Sequence, residues 1–162
     1  MECEYSDGLL GAQTFRESFG RFIPPTDLDS YISATYNPAR QMEELTNPSR
    51  KYLIAEREGN AVGYAMLHAH KALPIVVGEN PIELERLYLL HDSIGHGLGH
   101  VLVCKCIEES LRSFHKTIWL QVWERNERAV AFYIKQGFES VGVRSKELGK
   151  SKGTDLIMAR KI

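Results

Sequence analysis

Cysteine is scarce in this chain, with three residues among 162. Cys104 and Cys106 lie two positions apart on a predicted helix, where their side chains point in different directions, and Cys3 is the only other one. A disulfide-stapled domain needs an even and larger set, and a structural metal site needs more ligands at close spacing. The sequence therefore predicts no disulfide framework and no bound metal, and it is typical of a reducing, intracellular compartment.

An excess of either charge is also missing. The chain has 20 Lys and Arg residues against 21 Asp and Glu residues, which gives a net charge of -1. General polyanion binders carry a strong positive balance, so we expect no nucleic acid partner. No apolar run reaches the length of a signal core or a membrane span. We therefore expect no membrane partner and a cytoplasmic location.

Internal repeats and low-complexity segments are absent from the sequence as well. A chain of 162 residues with 43% hydrophobic content has the length to bury one compact core. We therefore predict a single domain over residues 1–162. A monomer and a homodimer are both compatible with this composition.

What the chain does contain is a cluster of glycines at a predicted strand-to-helix transition. Gly95, Gly97 and Gly99 follow residues 84–90, whose alternating pattern predicts a strand, and apolar residues recur at helical spacing over 103–114. The first N–H groups of a helix lack intrahelical partners and carry partial positive charge, and glycines let a phosphate approach that backbone. The pattern predicts a pyrophosphate-binding loop.

Other kinds of glycine loop fit these residues less well. The phosphate-binding loop of nucleoside triphosphatases needs Lys and then Ser or Thr, whereas Gly99 is followed by His100 and Val101. The dinucleotide fingerprint needs a glycine at position 100, so a dinucleotide-binding oxidoreductase remains a weak alternative. A helix entry that needs small residues only for close packing is a third interpretation.

A second motif lies downstream of the glycines. Residues 117–123 alternate β-branched and aromatic side chains and predict a strand. Residues 126–138 then read Asn-Glu-Arg-Ala-Val-Ala-Phe-Tyr-Ile-Lys-Gln-Gly-Phe. Asn126 is a favourable N-cap and Gly137 a favourable left-handed C-cap, so a helix of about three turns is expected between them. Three residues then share one helix face: Ala129, Phe132 and Tyr133.

In the order and separation of the two motifs, the sequence resembles the GCN5-related N-acetyltransferase (GNAT) superfamily. The acetyl-CoA loop of that superfamily has the form Gln/Arg-x-x-Gly-x-Gly/Ala. Gly97 and Gly99 fit this form, while Ile94 stands at the Gln or Arg position. The second signature, Asn-x-x-Ala-x-x-Phe-Tyr-x-x-x-Gly-Phe, matches residues 126–138. The residues flanking the loop are most similar to the PaiA-type branch, which is associated with polyamine and small-amine acetylation.

The resemblance implies an α/β fold in which helices flank a central, mixed and mostly antiparallel sheet. That fold usually opens with a strand, but this sequence opens with an apparent helix. We therefore expect the first strand to be missing, very short or replaced. Residues 14–19, residues 26–35 and the stretch between Pro38 and Pro48 predict the early helices.

The remaining pattern predicts strands and turns. Residues 52–56 and 62–68 flank a Glu-Gly-Asn turn at positions 58–60, which favours an antiparallel hairpin. Residues 71–81 are predicted to form a loop. A final strand is expected over residues 154–159, reached through a glycine-flanked loop at 149–153.

The activity implied by the resemblance is transfer of an acetyl group from acetyl-CoA to the primary amine of a small molecule, polyamine-like or amino-acid-like. The transfer would be direct, in a ternary complex, with acetyl-CoA as co-substrate and without a metal. A non-catalytic CoA-binding module and an acetyltransferase acting on protein N-termini or lysines are the alternatives.

Catalytic roles follow from the same resemblance. Tyr133 would protonate the departing thiolate, and a carboxylate on the strand before the loop would take the proton of the amine. Glu83 matches the family position best, and Glu85 lies on the same strand face. For both carboxylates, a solvent-facing position without a catalytic role is an equally good interpretation. For Tyr133, the alternative is a purely structural place in the core.

The resemblance also implies contacts with CoA. Backbone groups of Leu89 and Leu90 would bind the pantetheine and polarise the thioester carbonyl. Asn126 would bind the pantetheine or order its own helix, and Arg128 and Lys135 would approach the outer phosphates unless they are simply exposed helix charges. The expected cofactor-binding residues are Leu89, Leu90, Ile94, Gly95, His96, Gly97, Leu98, Gly99, His100, Asn126, Arg128, Ala129, Phe132, Tyr133 and Lys135.

Two further side-chain sets lead to expectations. His68 and His70 share strand parity, but no Cys or third His stands at ligand spacing, so surface or pocket-rim positions are predicted for both. Acidic residues, Glu44 among them, are candidates for the walls of a pocket that accepts a polycation.

Overall fold

The computed structural model describes residues 2–148 and 151–162, with the side chains of residues 10–145 and 153–162. Three helices come first: α1 (Glu2–Phe19), α2 (Pro25–Thr35) and α3 (Pro38–Thr46). Three strands follow: β1 (Arg50–Arg57), β2 (Asn60–His68) and β3 (Pro81–Leu89). After a short 3-10 turn at His91–Ser93, helices and strands alternate: α4 (Leu98–Arg112), β4 (Thr117–Trp123), α5 (Glu127–Lys135), β5 (Glu139–Leu148) and β6 (Ser151–Lys161).

The six strands form one mixed sheet in the order β1-β2-β3-β4-β6-β5. β3 and β4 run parallel, which α4 makes possible as the crossover between them. β4 pairs with β6 along its whole length, and β6 pairs with β5, both antiparallel. The mixed sheet agrees with the fold that the resemblance implies. Among the described residues no strand precedes β1, so the usual first strand is missing there.

The chain divides into two compact units. One consists of Met1–Met66 and Arg86–Leu102, and the other of Leu67–Glu85 and Val103–Ile162. A core cluster of the first unit is formed by Phe15, Leu28, Ile32 and Tyr36. A cluster of the second unit contains Val76, Trp119 and Ile157, of which Trp119 and Ile157 have no exposed surface. The single domain over residues 1–162 stays a prediction.

The turn between β1 and β2 lies where the sequence predicts it. Glu58 and Gly59 have φ of 54° and 78°, so two consecutive residues adopt left-handed backbone. A two-residue turn of this kind matches the twist of the strands that it joins, and it can connect only antiparallel neighbours. The hairpin is therefore specified locally by the Glu-Gly-Asn sequence.

Three parts of the fold differ most from the sequence-based expectations. α1 begins at Glu2 rather than at residue 14. β5 is a strand that the sequence analysis does not predict. Residues 151–153 belong to β6 because they pair with residues 146–148 of β5, while residues 149 and 150 of the predicted loop lie outside the described residues.

Candidate active site

The glycine loop lies in the first unit, between the 3-10 turn and α4. Gly95 and Gly97 have φ of 88° and 80°, a backbone conformation that residues with a Cβ rarely adopt. A Cβ built at either position meets nothing within 4 Å, so the backbone angle, rather than crowding by the protein, requires glycine. The helix then begins at Leu98, and the Val101 N–H donates to the Gly97 carbonyl at 3.1 Å.

This geometry confirms that the helix begins within the glycines. α4 is 15 residues long, so its N-terminal amides carry the partial positive charge of a full helix. Gly95, His96, Gly97 and His100 are exposed, whereas Ile94, Leu98 and Gly99 are half-buried. The loop therefore presents an open backbone surface with the chemistry that an anionic group needs.

The end of β3 leads directly to this loop. The Leu90 N–H donates to the Val62 carbonyl at 2.9 Å, and the Leu90 carbonyl accepts from the Ser93 N–H at 2.8 Å. Both backbone groups of Leu90 thus have partners within the first unit. Successive N–H groups of a strand point to opposite sides, so the Leu89 N–H points away from Val62. The pantetheine contacts expected of the Leu89 and Leu90 backbone stay predictions.

β3 and β4 are paired over a short stretch only. Their register runs from Pro81 opposite Thr117 to Glu83 opposite Trp119, although β3 continues to Leu89. Glu83 therefore stands at the last rung of the parallel ladder. This position gives its side chain neighbours from β4 as well as from the end of β2.

Glu83 is a buried carboxylate with two partners in the second unit. Its side chain is 5% exposed. Oε1 accepts a hydrogen bond from Gln121 Nε2 at 2.8 Å, and Oε2 lies 2.5 Å from His70 Nε2. The His70 side chain is 34% exposed, so it connects the buried carboxylate with water. This arrangement excludes the solvent-facing interpretation of Glu83.

Glu85 forms a similar carboxylate–histidine pair with His68. His68 Nδ1 lies 2.7 Å from Glu85 Oε2, and both side chains are half-buried. The rings of His68 and His70 lie 4.2 Å apart between their centroids, with an angle of 34° between their planes. The two histidines are thus bound to carboxylates of β3. The sequence predicts surface or pocket-rim positions for both histidines, and no pattern in it indicates these pairs.

α5 has the caps that the sequence predicts. Asn126 Oδ1 accepts from the Ala129 N–H at 3.3 Å and so caps the helix N-terminus. At the other end, Gly137 has φ of 81°, its N–H donates to the Ile134 carbonyl, and the Phe138 N–H donates to the Tyr133 carbonyl. These two bonds form a Schellman motif, which needs the left-handed glycine.

Tyr133 is a buried residue of α5. Its ring lies edge-on to Phe132 and Phe138, at centroid distances of 5.2 and 5.6 Å. Burial, with a smaller contribution from Cys106, raises the pKa of the Tyr133 hydroxyl well above its usual value. The hydroxyl therefore keeps its proton at neutral pH, as a proton donor must. On the same helix Ala129 and Phe132 are half-buried, and Arg128 and Lys135 are exposed.

Glu44 does not form the wall of an open pocket, because it is buried against Arg86. The two Arg86 amino groups donate to the two Glu44 oxygens at 2.8 and 3.1 Å. The Tyr52 hydroxyl donates to Glu44 at 3.1 Å. Burial favours the neutral acid, but Arg86, Tyr52 and Arg50 together hold the pKa of the Glu44 carboxyl below its usual value. The pair has a structural role in the first unit.

Comparison with known proteins identifies the family. A sequence profile of the "Acetyltransferase (GNAT) family" matches residues 13–138, which contain the glycine loop and the whole of α5. This chain belongs to the GNAT family. An uncharacterised N-acetyltransferase of Mycobacterium tuberculosis is 33% identical to this GNAT chain over 153 residues, 94% of each sequence. Another, from Lactobacillus delbrueckii subsp. lactis, is 30% identical over 93% of the chain and 87% of the relative.

A solved GNAT structure has the same fold. The PaiA N-acetyltransferase from Thermoplasma acidophilum, crystallised with coenzyme A, superposes with a TM-score of 0.78 at 19% identity, covering 99% of this chain and 94% of that one. The chain is thus an N-acetyltransferase with the GNAT fold, and this assignment replaces the dinucleotide-binding alternative. In the part of the chain that the structure describes, no helix has the length and apolar character needed to cross a membrane.

Within this GNAT chain the structure brings together residues that the sequence analysis treated separately. Glu83, His70 and Gln121 come from β3, from the residues after β2 and from β4, and they form one hydrogen-bonded group. Gln121 and the pairing of His70 were missed. The only signal in the sequence is the two-residue spacing within each pair, which places His68 and His70 on one face of a strand and Glu83 and Glu85 on one face of another. The roles of all candidate site residues stay predictions.

Proposed function

We propose that this GNAT enzyme transfers the acetyl group of acetyl-CoA to the primary amine of a small molecule, by direct attack in a ternary complex. The observation that carries the proposal is the buried Glu83 carboxylate, which is held by Gln121 and linked to solvent through His70. A buried acceptor of protons with an exit to water is what amine acetylation needs. The amine is mostly protonated at neutral pH and must lose a proton before it attacks.

The glycine loop supports acetyl-CoA as the co-substrate. Its open backbone at Gly95 and Gly97 and the N-terminus of α4 fit a pyrophosphate. The PaiA neighbour with the same fold was crystallised with coenzyme A. In our proposal the loop residues 94–100 hold the pyrophosphate and the Leu89 backbone meets the pantetheine. Asn126 keeps its capping role and orders α5.

The proposed chemistry assigns each proton to a residue. Bound acetyl-CoA supplies a thioester whose carbonyl carbon forms the new C–N bond while the C–S bond breaks. Glu83 accepts the proton that the amine loses, and His70 passes that proton to water. Tyr133 donates its hydroxyl proton to the sulfur that leaves and regains the second proton that the amine nitrogen loses. The roles of acid and base are thus divided between two buried side chains.

A covalent acetyl-cysteine at Cys106 has no support in the structure. Cys106 has no exposed surface, and burial, with a smaller contribution from Glu109, raises the pKa of its thiol to about 12. A thiol of that kind is not a thiolate at neutral pH and does not act as a nucleophile. This supports direct transfer.

The test replaces the carboxylate and keeps its shape. Glu83→Gln should lower kcat by about 100-fold or more, the range of a general base, while the KM for acetyl-CoA changes little. Glu79→Gln is a matched control in the same unit, since Glu79 is 70% exposed and pairs only at the surface with Lys116. Its kinetic constants should equal those of the wild type. A Glu83→Gln enzyme with more than half of the wild-type kcat would remove Glu83 from the mechanism.

The acceptor is tested by measuring CoA release with a panel of primary amines, amino acids, polyamines and peptides. Turnover on small amines above that on peptides is the expected result. A higher kcat/KM on peptide N-termini or lysines would assign a protein acceptor instead. Tight binding of acetyl-CoA with no turnover on any acceptor would favour a non-catalytic CoA-binding module.

A further inference from the structure

Three side chains of the second unit converge near the end of β2. The potential ligand atoms of His68, His70 and Glu83 all lie within 4.8 Å of one another. Two of these residues are imidazoles and one is a buried carboxylate. This set differs from a cluster of surface acids, because two of its ligands are nitrogens of histidines whose ring centroids already lie 4.2 Å apart.

Neighbouring residues orient the set in the way that metal sites require. Glu85 Oε2 bonds to His68 Nδ1 at 2.7 Å, so Nε2 of that ring would be the ligating atom. Gln121 holds Oε1 of Glu83 at 2.8 Å and so orients Oε2 toward the histidines. A carboxylate on the far nitrogen of a histidine and a hydrogen bond to a ligating carboxylate are the usual outer partners of metal ligands.

We propose that His68, His70 and Glu83 form a binding site for Zn²⁺ or a similar transition-metal ion. Two imidazole nitrogens, one carboxylate oxygen and a position left for water are a common set for zinc. Mg²⁺ and Ca²⁺ prefer oxygen ligands alone, so they fit poorly. Zinc bonds of about 2.0–2.1 Å place neighbouring ligand atoms about 3.4 Å apart in a tetrahedron. Modest rotations of the three side chains would therefore complete the site.

Occupation of this site blocks acetyl transfer. The ion takes the place of the hydrogen bond between His70 and Glu83, so the coordinated Glu83 carboxylate is a weaker base and His70 no longer passes a proton to water. The inhibition rests on the proposed function, whereas the binding of the metal does not. The cluster thus gives the enzyme a reversible, metal-dependent inhibitory site that the sequence-based expectation of no metal did not include.

Binding is tested on the metal-free full-length protein with Co²⁺, monitored through its visible absorption, and with Zn²⁺ in competition. One Co²⁺ per chain should bind, with the intense visible bands of a four- or five-coordinate ion, and Zn²⁺ should displace it. His68→Gln should weaken binding by more than 100-fold. Glu85→Gln should weaken it by about 10- to 100-fold, as the loss of an outer partner does.

Two control variants test whether Co²⁺ binds at this cluster rather than at another His or Cys. His115 lies outside the cluster and pairs with the Asn80 carbonyl, so His115→Gln should bind Co²⁺ as the wild type does. Cys104→Ser should also leave binding unchanged. Circular dichroism checks that each variant is folded. No stoichiometric binding to the wild type, equal binding to a folded His68→Gln variant, or loss of binding in Cys104→Ser would each overturn the site.

Activity measurements then separate the two proposals. Zn²⁺ should inhibit the wild type with a midpoint equal to its measured Kd, and His68→Gln should need at least 100-fold more Zn²⁺ relative to its own metal-free rate. Binding at the cluster without inhibition would overturn the inhibitory role. An enzyme that is active without metal but does not bind Co²⁺ overturns this inference alone. A chain that binds Co²⁺ but acetylates nothing overturns the proposed function alone.

Discussion

Replacing Arg86 with methionine leaves the Glu44 carboxylate buried without its main partner. In the wild type the guanidinium donates two hydrogen bonds to Glu44, and the two side chains are 9% and 4% exposed. Breaking a buried pair on one side costs about 3–5 kcal/mol, because the remaining charge is desolvated and uncompensated. Tyr52 and Arg50 still contact Glu44, so the lower end of that range is expected.

The first unit offers a matched surface pair. Arg16 and Asp29 also lie 2.8 Å apart, but their side chains are more than half exposed. An exposed ion pair contributes about 0–1 kcal/mol. Arg16→Met should therefore cost less than about 1 kcal/mol, although the chemical change is the same as in Arg86→Met. The difference between the two variants isolates the effect of burial.

Urea unfolding, followed by tryptophan fluorescence and circular dichroism, measures both variants. With a slope of about 2 kcal/mol per M, a loss of about 3 kcal/mol lowers the midpoint by about 1.5 M. The double variant Arg86→Met with Glu44→Met should recover most of this loss, because apolar residues of similar volume replace a buried pair at little cost. A midpoint shift no larger than that of Arg16→Met, or a double variant as unstable as the single one, would show that the Arg86–Glu44 pair is not held together by burial as described.

The loss of stability in Arg86→Met should depend on pH in a direction that the Glu44 carboxyl determines. Glu44 has a pKa below its usual value in the folded protein, so its contribution to stability is fully present above the unfolded pKa of about 4.3. That contribution is lost as the pH falls through the folded pKa. In Arg86→Met, protonation of Glu44 instead relieves the buried charge. The gap between wild type and variant should therefore narrow as the pH falls from 7 to 4, and a constant gap would contradict the assigned charge.

Three further variants test separate parts of the structure. Tyr133→Phe should lower kcat by about 100-fold with little change in acetyl-CoA affinity, and unchanged turnover in steady-state kinetics would remove the hydroxyl from the mechanism. Gly97→Val should abolish acetyl-CoA binding in calorimetry, because a valine is strained at φ of 80° and its side chain would cover the backbone of the proposed pyrophosphate site; retained affinity would contradict that site. Gly137→Ala should lower stability by about 1–2 kcal/mol in thermal unfolding, since alanine is strained at φ of 81°, and an unchanged midpoint would argue against the Schellman cap.

Elements with strong local signals could be predicted from the sequence. The strand at Thr117–Trp123 has the predicted bounds, and α5 lies between the predicted caps. β5 was missed because its pattern does not alternate cleanly: Val141 and Val143 are exposed, and the register shifts between Ser140 and Gly142. The pairing partner β6, rather than its own sequence, makes this segment a strand.

The length of α1 shows a second limit of local patterns. Glycine weakens a helix by about 1 kcal/mol relative to alanine, so the residues before Thr14 do not predict one. A Cβ built at Gly11 would lie 2.5 Å from the Tyr36 ring. The glycine is therefore required by the close approach of another residue of the first unit. This tertiary requirement is invisible in the pattern of α1 itself.

The same limit applies to the proposed proton path. Glu83 was a candidate from the resemblance, but its burial and partners depend on the strand order, which places β2 on one side of β3 and β4 on the other. His70 and Gln121 lie 13 and 38 positions from Glu83, and no periodicity links such distances. Because Gln121 can be changed without removing either proton acceptor, Gln121→Leu separates orientation from proton transfer. If orientation by Gln121 matters, the kcat of this variant should lie between that of the wild type and that of Glu83→Gln, since Glu83 and His70 both remain to accept the proton. A kcat equal to that of the wild type would show that Gln121 does not orient Glu83 for catalysis.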